Sequence, residues 1–398
     1  MLFLICLTLV SSQISLPLRR KVLPQNSKIL STSPSDSFEI INSHDVQYTA
    51  DVYIGTPGQY FSLLLKTGSS YLWVEKSSCS KCADFDNQFN SKDSKTYKSL
   101  SQLVSNGYWD GSYYLGVLSE DIVSIGGSKG LSTSASFILV DMDNGFKSFG
   151  ADGVLGLGFN QDSNNTLTFM DNLKKSGLIS HKVFAMYINF RNFDGKGNGN
   201  PASNLMIGSY NISKYSSSPN VIITYNLYNP TSGFSGLWIV NPMEVTLGGA
   251  LFNGSASVIF DSGSPYIYTP EGDYYDIAIN IMASMGVGCK IYNKIIRCTV
   301  KDRKILPSLS FSYNKISVNV DQNRLFRCGD GYCDLMVIES DNNYWVVGDV
   351  LLRQYYTIYD MDNMTISFTP AINNDSYATY ESSMAGVLIS IGAFLALF

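Results

Sequence analysis

The sequence predicts an all-β protein made of two similar lobes, and three observations support this prediction. A Lys-Thr-Gly-Ser motif at residues 66–69 is echoed by Asp-Ser-Gly-Ser at residues 261–264. The 398-residue chain contains 26 Tyr, 21 Phe and 33 Gly, a composition that suits short strands joined by many turns. Alternating polar and apolar residues, as at 47–54, recur between turn signals along the chain. Together these features indicate a duplicated β-rich domain.

The duplication extends beyond the two motifs. Each motif follows an apolar run, at residues 60–65 and 257–260, that predicts a buried strand entering a tight loop. A second glycine-containing apolar segment follows each motif at nearly the same distance, at residues 151–156 and 344–349. Because both halves keep the same internal order, we expect two lobes, each long enough to bury its own core.

Two segments have helical periodicity instead. They cover residues 167–177 and 272–285, and each ends at a glycine, Gly177 in the first case and Gly286 in the second. We expect one short helix beside each lobe.

The boundary between the lobes is expected near Tyr225, in a run rich in Ser, Pro, Asn and Gly. This places an N-terminal lobe at residues 45–225 and a C-terminal lobe at residues 226–372. Residues 16–44 contain a Ser/Thr/Pro stretch that is typical of a propeptide or linker. A first strand joined to the core is the alternative for this segment.

Both ends of the chain resemble targeting signals. Residues 1–15 contain an apolar run followed by small residues, as in a secretory signal peptide. Residues 373–398 combine small residues, a polar spacer and an uncharged tail, as in a glycosylphosphatidylinositol attachment signal. The tail is shorter than the roughly 20 residues of a membrane-spanning helix, although a tail anchor or a buried terminus stays open. We expect a membrane-anchored protein at the cell surface, with a vacuolar, lysosomal or soluble secreted location as alternatives.

Cysteines and glycosylation sequons are consistent with secretion. Beyond the signal peptide an even set of cysteines remains, which favours disulfides: Cys79, Cys82, Cys289, Cys298, Cys328 and Cys333. Cys79 and Cys82 lack a second pair at zinc spacing, so they predict a small disulfide loop. The other four allow three pairings, one of which consists of the local pairs Cys289–Cys298 and Cys328–Cys333. Candidate glycosylation sites are Asn164, Asn211, Asn253, Asn363 and Asn374.

Several functional classes have little support. A net charge of −5 argues against nucleic-acid binding, which needs a clustered basic face. The two histidines have no Gly-x-Ser-x-Gly context for a serine hydrolase. The glycine-rich run at residues 192–200 lacks the Lys-Ser/Thr end and the following helix of a phosphate loop. We expect no metal and no cofactor.

The two motifs and their surroundings resemble the pepsin-type aspartic endopeptidases, whose pattern is Asp-Thr/Ser-Gly-Ser/Thr once per lobe. The resemblance runs from about residue 45 to residue 370 and includes the segments at residues 54–57, 72–74, 156–158 and 348–356. It implies a bilobal all-β fold with a peptide cleft between two barrel-like lobes. It also implies a disulfide from Cys298 to Cys328 or Cys333.

The resemblance assigns Asp261 to the second catalytic position and places Lys66 at the first. The family reaction needs two carboxylates that share a proton and a water, one as base and the other as acid. A lysine ammonium has three donors and no acceptor. We therefore expect a Lys66–Asp261 ion pair and a loss of peptide hydrolysis by about 10⁴- to 10⁶-fold.

Other site residues follow from the same resemblance. Tyr108 matches the tyrosine of the flap that closes over substrate, Trp73 matches the tryptophan that supports it, and Gly111 lies in the same segment. Trp109 stands where the family usually has glycine, and Tyr71 is bulkier than the usual asparagine. The residues expected to build and tie the two motif loops are Thr67, Gly68, Ser69, Ser262, Gly263 and Ser264.

We therefore expect a monomeric pepsin-like homologue that is catalytically inactive and keeps a cleft for a peptide or protein ligand. One alternative is an active aspartic endopeptidase with an atypical Lys/Asp site. In that case Asp110 replaces the missing carboxylate, or a neutral Lys66 acts as general base. The other alternative is a surface structural protein.

Overall fold

The computed structural model is dominated by strands. It describes residues 14–22, 46–83, 85–108, 111–127, 130–146, 149–160, 166–189, 201–228, 236–285, 288–292, 294–299, 306–329 and 331–372. The strands are β1 (Ile14–Pro17), β2 (Arg19–Val22), β3 (Val46–Ile54), β4 (Gln59–Lys66), β5 (Trp73–Glu75), β6 (Lys98–Gly107), β7 (Tyr113–Ile125), β8 (Leu131–Asn144), β9 (Gly153–Gly156), β10 (Val183–Tyr187), β11 (Asn204–Ile207), β12 (Ile223–Asn226), β13 (Ile239–Leu247), β14 (Ala250–Phe260), β15 (Ile267–Pro270), β16 (Cys289–Tyr292), β17 (Ile295–Thr299), β18 (Leu309–Tyr313), β19 (Ile316–Val320), β20 (Phe326–Gly329), β21 (Tyr332–Leu335), β22 (Val337–Ser340), β23 (Trp345–Val347), β24 (Tyr355–Asp360) and β25 (Thr365–Pro370). The helices are α1 (Phe169–Lys175), α2 (Ile212–Tyr215), α3 (Glu271–Met285), α4 (Gln322–Leu325) and α5 (Asp349–Leu352), and a 3₁₀ turn spans Ser91–Asp93.

Each motif enters its lobe through the same arrangement of strands. In an eight-stranded sheet, β4 runs parallel to β9, β9 antiparallel to β5, and β5 parallel to β8. In a seven-stranded sheet, β14 runs parallel to β23, β23 antiparallel to β15, and β15 parallel to β22. The last residues of β4 and of β14 are buried, as the apolar runs predict. The prediction of an all-β fold with two duplicated lobes is confirmed.

A six-stranded sheet contains strands from both ends of the chain and from its middle, in the order β1-β11-β10-β24-β25-β12. Its edge strand β1 is fixed by the side chain of Asn204, which donates to the carbonyl oxygen of Leu16 at 2.8 Å. Leu16 and Leu18 are buried in the core. The described part of the 16–44 segment, residues 16–22, contributes to β1 and β2, and its role as propeptide or linker stays a prediction. The predicted lobe boundary at Tyr225 lies within β12 and stays a prediction.

The two predicted helices are α1 and α3, which confirms both. Helix α1 begins at a capping box, because the hydroxyl of Thr168 accepts from the Asp171 N–H while the Asp171 carboxylate accepts from the Thr168 N–H. It ends at Lys175, two residues before Gly177, whose φ of +73° favours glycine.

The disulfides are Cys79–Cys82, Cys289–Cys298 and Cys328–Cys333. The small Cys79–Cys82 loop is confirmed, but the pairing of Cys298 with Cys328 or Cys333 is wrong. In a four-stranded sheet, the β16–β17 pair places Cys289 opposite Cys298, and the β20–β21 pair places Cys328 opposite Cys333. The β17–β21 pair also places Cys298 opposite Cys333, so register alone does not choose between the two partners of Cys298. The bonded sulfurs are those within each hairpin.

Several predicted features lie outside the described residues. They are residues 1–13 of the signal peptide, Trp109, Asp110, Asn164, the run at residues 192–200, Gly286, Asn374 and the anchor signal at residues 373–398. Within the described ranges, no helix has both the length and the apolar character needed to cross a bilayer.

Candidate active site

The two motif loops meet between the lobes and are tied by reciprocal hydrogen bonds. The Thr67 N–H donates to the Ser262 hydroxyl at 3.1 Å, and the Ser262 N–H donates to the Thr67 hydroxyl at 2.9 Å. Each hydroxyl also donates across the interface, Thr67 to the carbonyl of Phe260 at 2.9 Å and Ser262 to that of Leu65 at 2.7 Å. The near-twofold symmetry of these contacts fixes the positions of the residues that begin each motif.

Those residues are Lys66 and Asp261, and they form a buried ion pair. The Lys66 ammonium lies 2.7 Å from Asp261 Oδ2, with the two side chains only 8% and 0% exposed. The glycine of each motif permits this contact. A Cβ on Gly263 would lie 2.7 Å from the Lys66 stem, and one on Gly68 would lie 2.5 Å from the Asp261 carboxyl carbon.

Four donors surround the Asp261 carboxylate. Oδ1 accepts from the N–H groups of Gly68 at 3.0 Å and Gly263 at 2.8 Å, and Oδ2 accepts from Lys66 at 2.7 Å and the Ser264 hydroxyl at 2.8 Å. A carboxylate offers about four lone-pair sites, so all are in use. Burial alone would raise the pKa of Asp261, but the charge and hydrogen bond of Lys66, together with the other donors, hold the pKa below its usual value.

The serines of the two motifs differ in their contacts. Ser264 donates to Asp261, whereas the Ser69 hydroxyl, in a residue only 1% exposed, has no hydrogen-bond partner among the described atoms. Such an unpaired buried group costs about 1–3 kcal/mol. The first loop therefore has a hydroxyl, that of Ser69, at the position equivalent to Ser264, whose hydroxyl donates to the Asp261 carboxylate.

In the segment predicted to be the flap, the structure describes residues 108, 111 and 112, and the Tyr108 ring lies beside the ion pair. The Lys66 ammonium is 5.2 Å from the centre of the Tyr108 ring, which permits a cation–π contact. The buried Trp73 donates its indole N–H to the Tyr108 hydroxyl at 2.8 Å. The Gly111 N–H donates to the Tyr108 carbonyl at 3.0 Å, and its φ of +80° turns the chain back. The structure thus brings together Lys66, Asp261 and Tyr108.

Two features of this region have no signal in the sequence. Tyr359 lies beneath the motif loops, where burial and the nearby Asp261 charge raise the pKa of its phenol well above the usual value. Glu75 and Asp143 form a carboxyl pair beside Cys82, with their ligand atoms within 4.8 Å of one another. The Cys82 sulfur belongs to a disulfide and is not a thiolate ligand, so the group is a pair of carboxyls. Their separation along the chain hides the pair from motif analysis.

The described glycosylation candidates differ in their environments. The side-chain oxygen of Asn211 caps α2 by accepting from the Lys214 N–H at 3.0 Å, and the residue is exposed. Asn253 is half-buried and donates to Asp273 at 2.9 Å, whereas Asn363 is exposed and donates to an aspartate at 2.8 Å. Asn211 presents its amide nitrogen most openly of the three.

Comparison with known proteins identifies the family. Residues 47–371 match the family model described as eukaryotic aspartyl protease. The chain is 29% identical to pepsin A from Sus scrofa over 88% of this chain and 86% of pepsin A. It is 30% identical to pepsin A from Bos taurus, covering 83% of this chain and 85% of the relative. It is 28% identical to rhizopuspepsin-1 from Rhizopus niveus, covering 89% and 86%. The chain therefore belongs to the eukaryotic aspartyl protease family.

Proposed function

We propose that this protein is a pepsin-like aspartic protease homologue that does not hydrolyse peptides and binds a peptide or protein segment in its interlobe cleft. The observation that carries the proposal is the buried 2.7 Å contact between Lys66 and Asp261. In this interpretation Lys66 occupies the position of the first catalytic aspartate.

The contacts of the pair argue against hydrolysis by the family mechanism. That mechanism needs one carboxylate to accept a proton from water while a protonated carboxyl donates to the scissile carbonyl. Asp261 has its four acceptor sites occupied, and an ionised carboxylate has no proton to donate. The Lys66 ammonium has no lone pair with which to accept one.

The alternative of a neutral Lys66 acting as general base is opposed by the same geometry. Loss of the lysine proton would leave the Asp261 carboxylate, which is fully buried, without its counter-charge. An uncompensated buried charge is strongly unfavourable. We therefore propose that Lys66 is protonated and Asp261 is ionised in the protein without ligand.

Ligand binding is proposed because the parts that surround the cleft are retained. The hydrogen bonds between Thr67 and Ser262 hold the loops together. Trp73 orients the flap tyrosine Tyr108. Such a site can enclose an extended peptide through backbone hydrogen bonds and side-chain pockets.

We further propose that the protein is a monomer, that it is exported, as its three disulfides favour, and that it is anchored through residues 373–398.

A peptide library tests the binding part of the proposal. We expect the soluble protein to select peptides. Tyr108→Ala should weaken their binding by at least about tenfold, which corresponds to a loss of about 1.4 kcal/mol of binding free energy. Tyr113→Ala is the matched control, since this exposed tyrosine lies on the same hairpin and its loss should leave affinity unchanged. Equal binding by native protein and Tyr108→Ala would reject the cleft as the binding site.

A cleavage assay tests the other part of the proposal. Acid-dependent cleavage of an unfolded protein by the native chain, lost in Asp261→Ala, would show that the protein is an active protease and reject the proposed inactivity.

A further inference from the structure

A second carboxyl pair lies in the eight-stranded sheet, away from the motif loops. Glu75 ends β5 and is fully buried, and Asp143 lies near the end of β8 and is half-buried. A single donor, the Ala83 N–H, lies 3.0 Å from a Glu75 oxygen and 3.3 Å from an Asp143 oxygen. One N–H shared by two carboxyl groups places those groups side by side.

Glu75 holds the loop at residues 76–90 against the sheet. Besides Ala83, its oxygens accept from the Phe85 N–H at 3.2 Å and from the Gln88 side-chain amide at 2.9 Å. All three donors belong to this loop. Another point of the loop is held independently, because the Asn87 side-chain amide donates to Asp152 at 2.9 Å. The attachment at Glu75 therefore depends on the charge of the neighbouring Asp143.

No described cation neutralises the pair. Lys76 directs its ammonium to Asp141 at 2.7 Å, and Lys81 and Asp86 are exposed in the loop. On the β7 side, Asp143 is paired with Tyr114, whose phenol is buried and has its pKa raised well above the usual value, chiefly by burial, so it stays neutral. Two adjacent carboxyl groups without a cation favour a state in which they share one proton.

The neighbouring Glu75 changes the proton affinity of Asp143. Burial, a hydrogen bond to Glu75 and the charge of Glu75, in that order, raise the pKa of Asp143 to about 7. Because the folded pKa is raised, the protonated form is favoured by folding. The stabilisation is complete below the usual carboxyl pKa and is lost as pH rises through about 7.

Aromatic packing connects the loop to the flap. The Phe85 ring lies 6.2 Å from Trp73 and 5.9 Å from Phe149, measured between centroids. Trp73 in turn donates to the Tyr108 hydroxyl at 2.8 Å. Displacement of the loop would remove Phe85 from the indole that orients the flap tyrosine.

We propose that Glu75 and Asp143 form a pH-sensitive clamp, in which a shared proton fastens the loop at residues 76–90 and, through Phe85 and Trp73, steadies the flap over the cleft. On loss of that proton from Asp143 to solvent, two adjacent carboxylates repel, and the contacts between the loop and Glu75 weaken while those of Asn87 with Asp152 remain. The regulatory meaning of the clamp rests on the proposed ligand-binding cleft, but its opening is a property of the free protein.

Hydrogen exchange of the full chain without any peptide tests the clamp. Exchange is compared at about pH 6 and about pH 8 after correction for intrinsic rates, because the ionised fraction of a group with a pKa near 7 rises about tenfold over this interval. Between the lower and the higher pH, we expect amide protection in residues 76–90 and in the described flap residues to fall by up to about tenfold. Protection in helix α3 serves as the internal reference and should stay constant.

Asp143→Asn distinguishes the clamp from general loosening. Its side-chain amide donates to Glu75 as the protonated aspartate does but does not titrate, so the loop should stay protected at both pH values. Asp141→Asn is the matched control, because it removes the exposed partner of Lys76 in the same strand and should keep the native pH dependence. Unchanged protection in the native chain, or a pH dependence that persists in Asp143→Asn, would overturn the clamp. Neither result depends on whether the cleft binds a peptide.

Discussion

The two motif loops share one scaffold and differ in the contacts at its centre. In both loops a side-chain hydroxyl donates to a backbone carbonyl on the other side of the interface. In both loops a glycine allows the charged side chain of the other loop to approach closely. The second loop presents Asp261 with a full set of donors, whereas the first presents Lys66 and an unpaired Ser69 hydroxyl. The loop framework is therefore compatible with either charge at this position. In the function that we propose, one substitution removes the chemistry while the fold is retained.

The largest expected effect comes from breaking the ion pair. Asp261→Ala leaves the Lys66 ammonium buried without a counter-charge, and we expect the free energy of unfolding to fall by about 3–5 kcal/mol. Urea unfolding of the native chain and the variant measures this. The double variant Lys66→Met/Asp261→Ala removes both charges and should recover part of the loss. A double variant as unstable as the single one would contradict a coupled pair.

A smaller effect separates the two serines. Ser264→Ala removes a hydrogen bond to a charged group and should cost about 1.5–3 kcal/mol of unfolding free energy. Ser69→Ala removes a buried hydroxyl that has no partner among the described atoms, so the unfolding free energy should stay the same or rise. Both variants delete the same atom from equivalent loops, so each is the control for the other. Equal losses in urea unfolding would contradict the asymmetry.

The serine contrast also depends on Lys66. In a Lys66→Asp background the Ser69 hydroxyl can donate to the new carboxylate, so Ser69→Ala should become destabilising by about 1.5–3 kcal/mol. Ser69→Ala remaining neutral in that background would mean that the first loop no longer has the geometry of the second.

The fold could be predicted from the sequence because its signals are local or repeated. The apolar runs before residues 66 and 261 and the similar spacing in each half indicate two equivalent lobes. The Lys66–Asp261 contact followed from placing both motifs at one interface. The Cys289–Cys298 disulfide could not be predicted, because the resemblance favoured another partner for Cys298 and the strands place two cysteines opposite it.

Features that depend on distant packing could not be predicted. Glu75 and Asp143 come together only when β5 and β8 pair side by side, and neither belongs to a motif. The role of Ser69 likewise appears only from the contacts of Ser264, because an unpaired hydroxyl has no sequence signature. Residues 14–17 form a strand by pairing with β11 at the edge of the six-stranded sheet, and β11 lies far away along the chain.

The measurement that tests the central claim most directly is turnover of an unfolded protein substrate at acidic pH by the native chain and by Lys66→Asp. With a second carboxylate facing Asp261 across the tied loops, the variant should cleave the substrate, while the native chain stays lower by about 10⁴-fold or more. Lys66→Asn is the control, because it removes the ammonium without supplying a carboxylate and should remain inactive. Cleavage by the native chain at the rate of Lys66→Asp would contradict the claim that the Lys66–Asp261 pair blocks hydrolysis.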